Sequence, residues 1–241
     1  MSNYLLELSI IHLSLIAGYW FFLKNESQYG KMRIYLFAST LLSLTIPFLK
    51  LPRIIGDWVS SPANDTTLQS IPLEALTLTT SAEETGLNWN FLWYAYALIS
   101  AFYLFRFASS LSYLIKLKQS SQKLQVDGVQ IFKSDQIDGS FTFFNWIFIG
   151  PQIEENKNEY DAILKHEKAH AQLGHTYDLL FFQLYRLVFW WLPSAWFINK
   201  EIKKIHEYQA DAYVLKSYNH DLYSSILISS TLKSNGLSLA S

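Results

Sequence analysis

The chain has 241 residues and a formal net charge of -1, which gives no indication of a nucleic acid or of an acidic partner. Hydrophobic residues make up 50% of the chain and charged residues only 16%, against roughly 25% charged residues in ordinary soluble domains, so the composition favours a membrane protein. Cysteine is absent, which excludes disulfides, thiolate ligands and cysteine nucleophiles, so any metal site must be built from histidines and carboxylates.

Three apolar segments in the first half of the chain are candidates for membrane helices. Residues 4–23 are interrupted only by Glu7 and His12 and are long enough to cross a hydrocarbon core of roughly 30 Å. A cleaved signal peptide is the alternative for this segment, but no basic residue precedes it and no small-residue cleavage site follows it. With residues 34–49 and 91–115 as the other two segments, the sequence predicts three N-terminal transmembrane helices.

The distribution of basic residues predicts how these helices are oriented, because cytoplasmic loops carry the excess of lysine and arginine. The loop after the first segment contains Lys24, Lys31 and Arg33, whereas residues 52–90 hold one arginine beside five acidic residues. Three further lysines follow the third segment within residues 116–123. The N-terminus is therefore predicted to lie outside, with residues 52–90 as an extracytoplasmic loop and the downstream region in the cytoplasm.

Arg106 lies inside the third apolar segment, where a charge is by default a functional candidate. One interpretation is that the membrane-embedded part ends near Arg106 and the helix continues into water, since Ser109, Ser110 and Ser112 follow. The other is that Arg106 lines the polar path of a transporter-like bundle.

After the third segment the pattern changes to short runs that are typical of strands. Residues 129–132 and 141–149 are rich in β-branched and aromatic side chains and are separated by a polar stretch that contains Gly139. The chain is thus predicted to divide into a three-helix transmembrane region over residues 1–116 and an α+β domain over residues 117–241.

The first element of this domain that carries chemistry is the pentapeptide His166-Glu167-Lys168-Ala169-His170, which fits the His-Glu-x-x-His pattern. Acidic residues before it and Gly174 after it predict a helix. Residues four apart share one helix face, so His166 and His170 can bind one ion while Glu167 activates a water molecule. We therefore predict a catalytic zinc site, which takes three protein ligands and one water.

A second helical segment offers the third ligand. Glu207 and Asp211 are four residues apart on one face, which suits Glu207 as a zinc ligand and Asp211 as a hydrogen-bond partner of a ligand histidine. His175 and His206 are rival ligands, but His175 is out of register with the metzincin pattern and His206 points about 100° away from Glu207. We expect both to be surface groups or supports of the ligands.

Residues 179–198, which lie between the two ligand sets, are apolar enough to span a membrane. A single crossing would separate His170 from Glu207, so this segment is predicted to lie along the interface or to enter the membrane and return as a hairpin broken at Pro193 and Ser194. The zinc site is then expected at the cytoplasmic membrane surface, with three interfacial tryptophans as anchors, namely Trp190, Trp191 and Trp196.

Taken together, these features resemble the BlaR/MecR-type membrane metallopeptidases, a family of signal-transducing antirepressors, and more distantly the Ste24/HtpX membrane proteases. The resemblance covers the N-terminal helices, residues 144–149, residues 166–175 and residues 206–211. It implies a gluzincin-like domain in a bacterial inner membrane, with one Zn²⁺ held by His166, His170 and Glu207 and with Glu167 as the catalytic residue.

The resemblance also implies regulated signalling proteolysis, in which the peptidase cleaves itself or a cytoplasmic transcriptional repressor. Relatives carry a C-terminal sensor domain, often for β-lactams, whereas this sequence stops at Ser241, so the sensor domain is expected to be missing from this chain. The alternative function is a signalling scaffold in which zinc is structural and no peptide is cleaved. The expected partners are the lipid bilayer and a peptide or protein substrate.

Overall fold

The computed structural model describes residues 2–49, 90–126, 129–151, 153 and 157–234. Within these ranges the protein is mostly helical and has one small mixed sheet. The predicted loop over residues 52–89 lies outside the described residues. The elements are, in chain order, α1 Ser2–Phe22, α2 Tyr29–Thr45, α3 Asn90–Ser120, β1 Gln122–Val126, β2 Val129–Lys133, β3 Ser140–Phe143, β4 Trp146–Ile149, α4 Lys157–Gln172, α5 His175–Val188, α6 Pro193–Val214 and α7 His220–Ser234.

Two helices among the described residues, not three, are long and apolar enough to cross a membrane. These candidate spans are Tyr4–Phe22 and Asn90–Ser120. The prediction of a third span at residues 34–49 is wrong on length, because α2 has 17 residues and gives way to a short 3₁₀ turn at Ile46–Phe48. Its buried face also carries three hydroxyl side chains whose oxygens bond to backbone carbonyls of the same helix, namely Ser39, Thr40 and Ser43.

The third helix, α3, contrasts with the other two N-terminal helices because little of it is covered by protein. It has 31 residues, about 47 Å at the usual rise per residue, which exceeds a hydrocarbon core of roughly 30 Å. No residue of its most apolar window is buried. Arg106 is exposed on this helix.

The sheet has the strand order β1-β2-β4-β3, with β2 and β4 parallel and the other pairs antiparallel. The run predicted at residues 141–149 is a hairpin of two strands, because the chain turns at Phe144 and Asn145. Phe144 has a φ of 53°, which is unusual for a side chain of this size. Its N–H donates to Thr176 Oγ1 at 2.8 Å, and this bond ties the turn to α5.

One face of this sheet packs against the helix that carries the pentapeptide. Ile131, Ile147 and Ile149 form a buried cluster with Ile163 and Leu164 of α4. Because β3 lies at the edge of the sheet, this packing sets the edge strand beside α4. The opposite face is closed by the end of α3, through a second cluster of Leu117, Phe132, Ile137 and Phe148.

Helices α5 and α6 form an antiparallel hairpin that packs against α1 and α2, which also contact each other. Phe182 of α5 joins Ile198 and Ile202 of α6 in a core that also contains Tyr19 and Leu36. At the far end, Ser194 Oγ lies 2.6 Å from Nδ1 of the fully buried His12 of α1. Because α5 and α6 are antiparallel, α6 leads the chain back toward the end of the bundle at which α5 begins. On its way back, α6 packs beside α4.

Candidate metal centre

His166 and His170 lie one turn apart on the same face of α4. Their Nε2 atoms are 3.1 Å apart. Two imidazole nitrogens that bind one tetrahedral Zn²⁺ at 2.0–2.1 Å are about 3.3 Å apart, so the two rings are already close to a chelating arrangement. After α4 ends at Gln172, the chain turns at Gly174, which has a φ of 67° and is the residue immediately before α5.

Glu207 comes from α6 and completes a group of three side chains that could hold a metal ion. Its Oε2 lies 3.4 Å from His166 Nε2, and its Oε1 lies 3.8 Å from His170 Nε2. One donor atom from each of the three residues lies within 4.8 Å of the other two. The hydrogen bond from His166 lowers the pKa of Glu207 despite partial burial. Its side chain is 60% exposed, so the centre is open to solvent on this side.

The other nitrogen of His166 has two oxygen partners. Its Nδ1 lies 3.1 Å from Asp211 Oδ1 and 3.0 Å from the hydroxyl of Tyr223, which itself donates to Asp211 Oδ1 at 2.8 Å. Burial lowers the pKa of His166, but hydrogen bonds with Asp211 and Glu207 outweigh burial and raise it to about 9. The raised pKa means that this cluster attracts positive charge, which is the electrostatic condition for binding a metal cation.

His170 is supported on its far side by a third histidine. Its Nδ1 lies 2.8 Å from Nδ1 of His175, whose Nε2 lies 3.1 Å from Gln209 Oε1. Burial, together with His206 and His170, lowers the pKa of His175 to about 2, so this ring stays neutral. Of the two alternatives for His175 and His206, a surface position is wrong, since they are 1% and 2% exposed and stack on each other with ring centres 3.9 Å apart. The other alternative, support of a ligand residue, fits His175 through its contact with His170.

The carboxylate of Glu167 is buried between α4 and the edge strand. Ser140 Oγ donates to Oε1 at 2.8 Å, and Thr142 Oγ1 donates to Oε2 at 2.7 Å. Burial raises the pKa of Glu167, and these two hydroxyl bonds act against that increase because they stabilise the ionised form. Each oxygen of Glu167 therefore has a fixed partner on β3.

Some of the residues at the centre have a sequence signal and others have none. The alternation Ser140-Phe141-Thr142-Phe143 puts two hydroxyls on one strand face, and that pattern is visible in the sequence. Tyr223 lies twelve residues after Asp211 on a different helix, and nothing in its surroundings in the sequence marks it. Two tyrosines lie close in sequence to Glu207 and Asp211. Tyr208 packs on Tyr29, and the ring of Tyr213 lies beside the amine of Lys165.

The three donor atoms fit zinc by their chemistry as well as by their spacing. Two imidazole nitrogens and one carboxylate oxygen make up the ligand set of glutamate-type zinc peptidases, which keep a further coordination position for water. A His-Glu-x-x-His helix and a glutamate from a second helix are the features of that class. The geometry of His166, His170 and Glu207 therefore fits an HExxH-plus-glutamate zinc site.

Comparison with protein families agrees with this class. The family model described as BlaR1 peptidase M56 matches residues 26–240, so the chain belongs to the BlaR1 peptidase M56 family. The predicted resemblance to BlaR/MecR-type metallopeptidases is confirmed. M56 peptidases depend on zinc, and the family implies a membrane metallopeptidase role in signalling. A search of curated proteins found no match.

Proposed function

We propose that this protein is a membrane-bound zinc endopeptidase that acts in regulated signalling proteolysis. His166, His170 and Glu207 are the proposed metal ligands, Asp211 orients His166, and Glu167 is the proposed catalytic residue. The observation that carries the proposal is the convergence of the three donor atoms beside a buried glutamate whose carboxylate is held by two hydroxyls. Membership of the M56 family supports the same conclusion.

In this mechanism the residues of the chain position and move protons. When bound, zinc supplies a Lewis acid that lowers the pKa of water toward about 7. Glu167 takes the proton of the attacking water and delivers it to the leaving amine. The hydroxyls of Ser140 and Thr142 favour the ionised form of the carboxylate before the attack and fix its orientation. Asp211 holds the ring of His166 through Nδ1, which leaves Nε2 directed at the metal.

The edge of the sheet supports a binding mode for the substrate. β3 pairs with β4 on one side and lies at the end of the strand order, beside α4. We propose that an extended peptide adds to β3 as a further strand, with main-chain hydrogen bonds giving affinity. Such a peptide would pass next to Glu167, whose partners are on the same strand.

We propose the following placement in the membrane. Residues 1–116 form the transmembrane region and residues 117–241 the peptidase domain. α2 is not a candidate span by itself, but Tyr4 donates to the carbonyl of Leu44, so α2 runs antiparallel to α1 and returns the chain toward the side of the N-terminus. The N-terminus is then outside and the zinc site lies on the cytoplasmic side of a bacterial inner membrane. The exposed apolar surface of α3 supports contact with lipid. The α5–α6 hairpin would enter the membrane and return, with partly exposed tryptophans at its tip as interfacial anchors, namely Trp190, Trp191 and Trp196.

The proposed substrate is the chain itself or a cytoplasmic transcriptional repressor. The deciding experiment compares the purified wild-type chain and the Glu167→Gln variant in detergent micelles. Cleavage is measured with libraries of fluorescence-quenched peptides, and self-cleavage by analysis of the products. Glu167→Gln should bind one zinc per chain and lose activity by about 10²–10⁴-fold, the usual contribution of a general acid–base group.

The control is Asp161→Asn, which makes the same acid-to-amide change at an exposed position of the same helix. This variant should cleave like the wild type. Cleavage that persists in Glu167→Gln contradicts the assignment of the catalytic residue. Zinc binding without any product that depends on Glu167 would instead indicate the signalling scaffold.

A further inference from the structure

Arg33 connects the beginning of α2 with two other parts of the chain. Its Nε lies 2.5 Å from Asp178 Oδ2, and its Nη2 donates to Oδ1 of the same carboxylate at 2.9 Å. Its Nη1 donates to the carbonyl of Leu173 at 3.0 Å, just after the end of α4. The guanidinium thus binds α5 with one edge and the zinc-binding helix with the remaining nitrogen.

Asp178 carries this connection to α6. Its side chain is 5% exposed, and its Oδ2 also lies 2.8 Å from Nε2 of His206. His206 directly precedes Glu207 on α6, so the hydrogen bond that His206 Nε2 donates to Asp178 fixes the rotation of the turn that presents Glu207. A buried carboxylate with one basic partner on α2 and one ring partner on α6 holds both helices against α5.

The ring of His206 extends the connection to the first ligand helix. It stacks on His175 with 9° between the ring planes, and His175 in turn contacts His170. If His170 binds metal through Nε2, its Nδ1 carries the proton and donates to His175 Nδ1. His175 then carries its own proton on Nε2, which faces the acceptor oxygen of Gln209.

We propose that Arg33 is a positioning residue of the metal centre, which acts through Asp178 and His206 on Glu207 and through His175 on His170. This inference rests on the proposed function, because it assumes that His170 and Glu207 are ligands. Arg33 has no contact with either ligand. Its effect is to make the position of α2 one of the determinants of the ligand geometry, since α2, α4, α5 and α6 meet at this polar cluster.

The test measures metal binding by the full chain in detergent micelles. Arg33→Gln alone leaves the buried carboxylate of Asp178 without its guanidinium partner and with only the bond from His206, which endangers folding. Two further variants avoid this problem. Arg33→Lys keeps the charge but loses the planar fork that binds Asp178 and Leu173 together, and Arg33→Gln with Asp178→Asn removes both charges. Zinc affinity comes from competition with a chromogenic chelator, and geometry from the visible spectrum of the Co²⁺-substituted chain.

We expect both of these variants to bind zinc about tenfold more weakly and to give altered Co²⁺ bands, as happens when outer partners of ligand histidines are changed. The control is Lys31→Gln, which removes a positive charge from an exposed position of the same helix two residues away and should leave both measurements unchanged. Far-UV circular dichroism checks that every variant is folded.

Wild-type zinc affinity and an unchanged Co²⁺ spectrum in folded Arg33→Lys and in the folded double variant would overturn the positioning role while leaving the proposed function intact. Loss of zinc binding in Lys31→Gln to the same extent would also overturn it, because the effect would then come from charge alone. A wild-type chain that binds no zinc would contradict the proposed function itself.

Discussion

The two hydroxyls on Glu167 lead to a prediction at the scale of single residues. Thr142→Val and Ser140→Ala should each lower the rate of peptide cleavage about tenfold, since a hydrogen bond to a charged group contributes about 1.5–3 kcal/mol. These bonds stabilise the ionised carboxylate, so their loss raises the pKa of Glu167 and moves the acidic limb of the pH–rate profile to higher pH.

Ser134→Ala is the matched control for this prediction, because Ser134 also carries a hydroxyl in the sheet region but binds only the nearby N–H of Gln136. Zinc affinity should stay at the wild-type value in all three variants. An unchanged pH–rate profile in Thr142→Val would show that the hydroxyls do not act on the catalytic carboxylate.

Asp211 gives a second prediction at this scale, and it concerns metal affinity. Asp211→Asn removes the charge that faces His166 Nδ1, so we expect zinc to bind 10–100-fold more weakly, the usual range for carboxylates that orient ligand histidines. Isothermal titration of zinc into the apo-protein measures this change. Asp221→Asn, at a side chain that is 97% exposed, should have no effect, and an equal loss in that control would count against a local role.

The pH dependence of zinc binding follows from His166. Its pKa is raised to about 9, so without metal the ring is protonated at neutral pH and must lose that proton before Nε2 can bind zinc. Zinc affinity should therefore rise as the pH increases from 6.5 to 8.5, by about tenfold per pH unit for one released proton. In Asp211→Asn the pKa of His166 falls, so the ring loses its proton at a lower pH. The increase of zinc affinity with pH should therefore level off at a lower pH than in the wild type. A slope near zero in the wild type would contradict this account.

Residues of the centre that share a helix face with a chemically similar neighbour were predictable, on α4 and also for Glu207 and Asp211 on α6, and residues without such a pattern were not. His166, Glu167 and His170 lie within one turn of a single helix, so helical geometry alone relates them. Ser140 and Arg33 contact this region through a strand and through α2, and their places depend on how those elements pack against α4 and α5. No local pattern in the sequence fixes such packing.

At the scale of the elements, the turn between α4 and α5 depends on Gly174. Its φ of 67° is a left-handed conformation, which costs about 1–2 kcal/mol for a residue with a Cβ atom. Gly174→Ala should therefore lower the temperature of thermal unfolding by a few degrees. Gly30→Ala in α2 is the control, because an added Cβ there meets no atom within 4 Å and alanine favours a helix. Equal melting temperatures for Gly174→Ala and the wild type would contradict this prediction.

The lengths of the elements explain where the predicted fold and the observed fold differ. Hydropathy identified α1 and α3, but α2 is too short for a span and hides its hydroxyls inside the helical bundle. Residues 141–149 read as one strand-like run because the turn at Phe144 and Asn145 contains a single turn-forming residue, Asn145, among aromatic and β-branched neighbours. The small sheet and its attachment to a helical domain were nevertheless predictable from the change in pattern after α3.

At the scale of the whole molecule, the absence of cysteine makes the proposed membrane orientation directly testable. In intact spheroplasts, a membrane-impermeant maleimide should label Ser81→Cys, in the loop predicted outside. Ser27→Cys, in the exposed loop between α1 and α2, should react only after permeabilisation. The unmodified chain provides the background. Labelling of Ser27→Cys in intact cells would reverse the orientation.

The proposed metal ligands and the partners of the proposed catalytic carboxylate come from different stretches of the chain. His166, His170 and Glu207 belong to α4 and α6, whereas Ser140 and Thr142 belong to a strand of the sheet that follows α3. We therefore expect substitutions in the sheet to change the rate of cleavage and the choice of substrate more than the affinity for zinc. The proposed peptidase would then have an evolutionary route to new targets along which the metal site is kept.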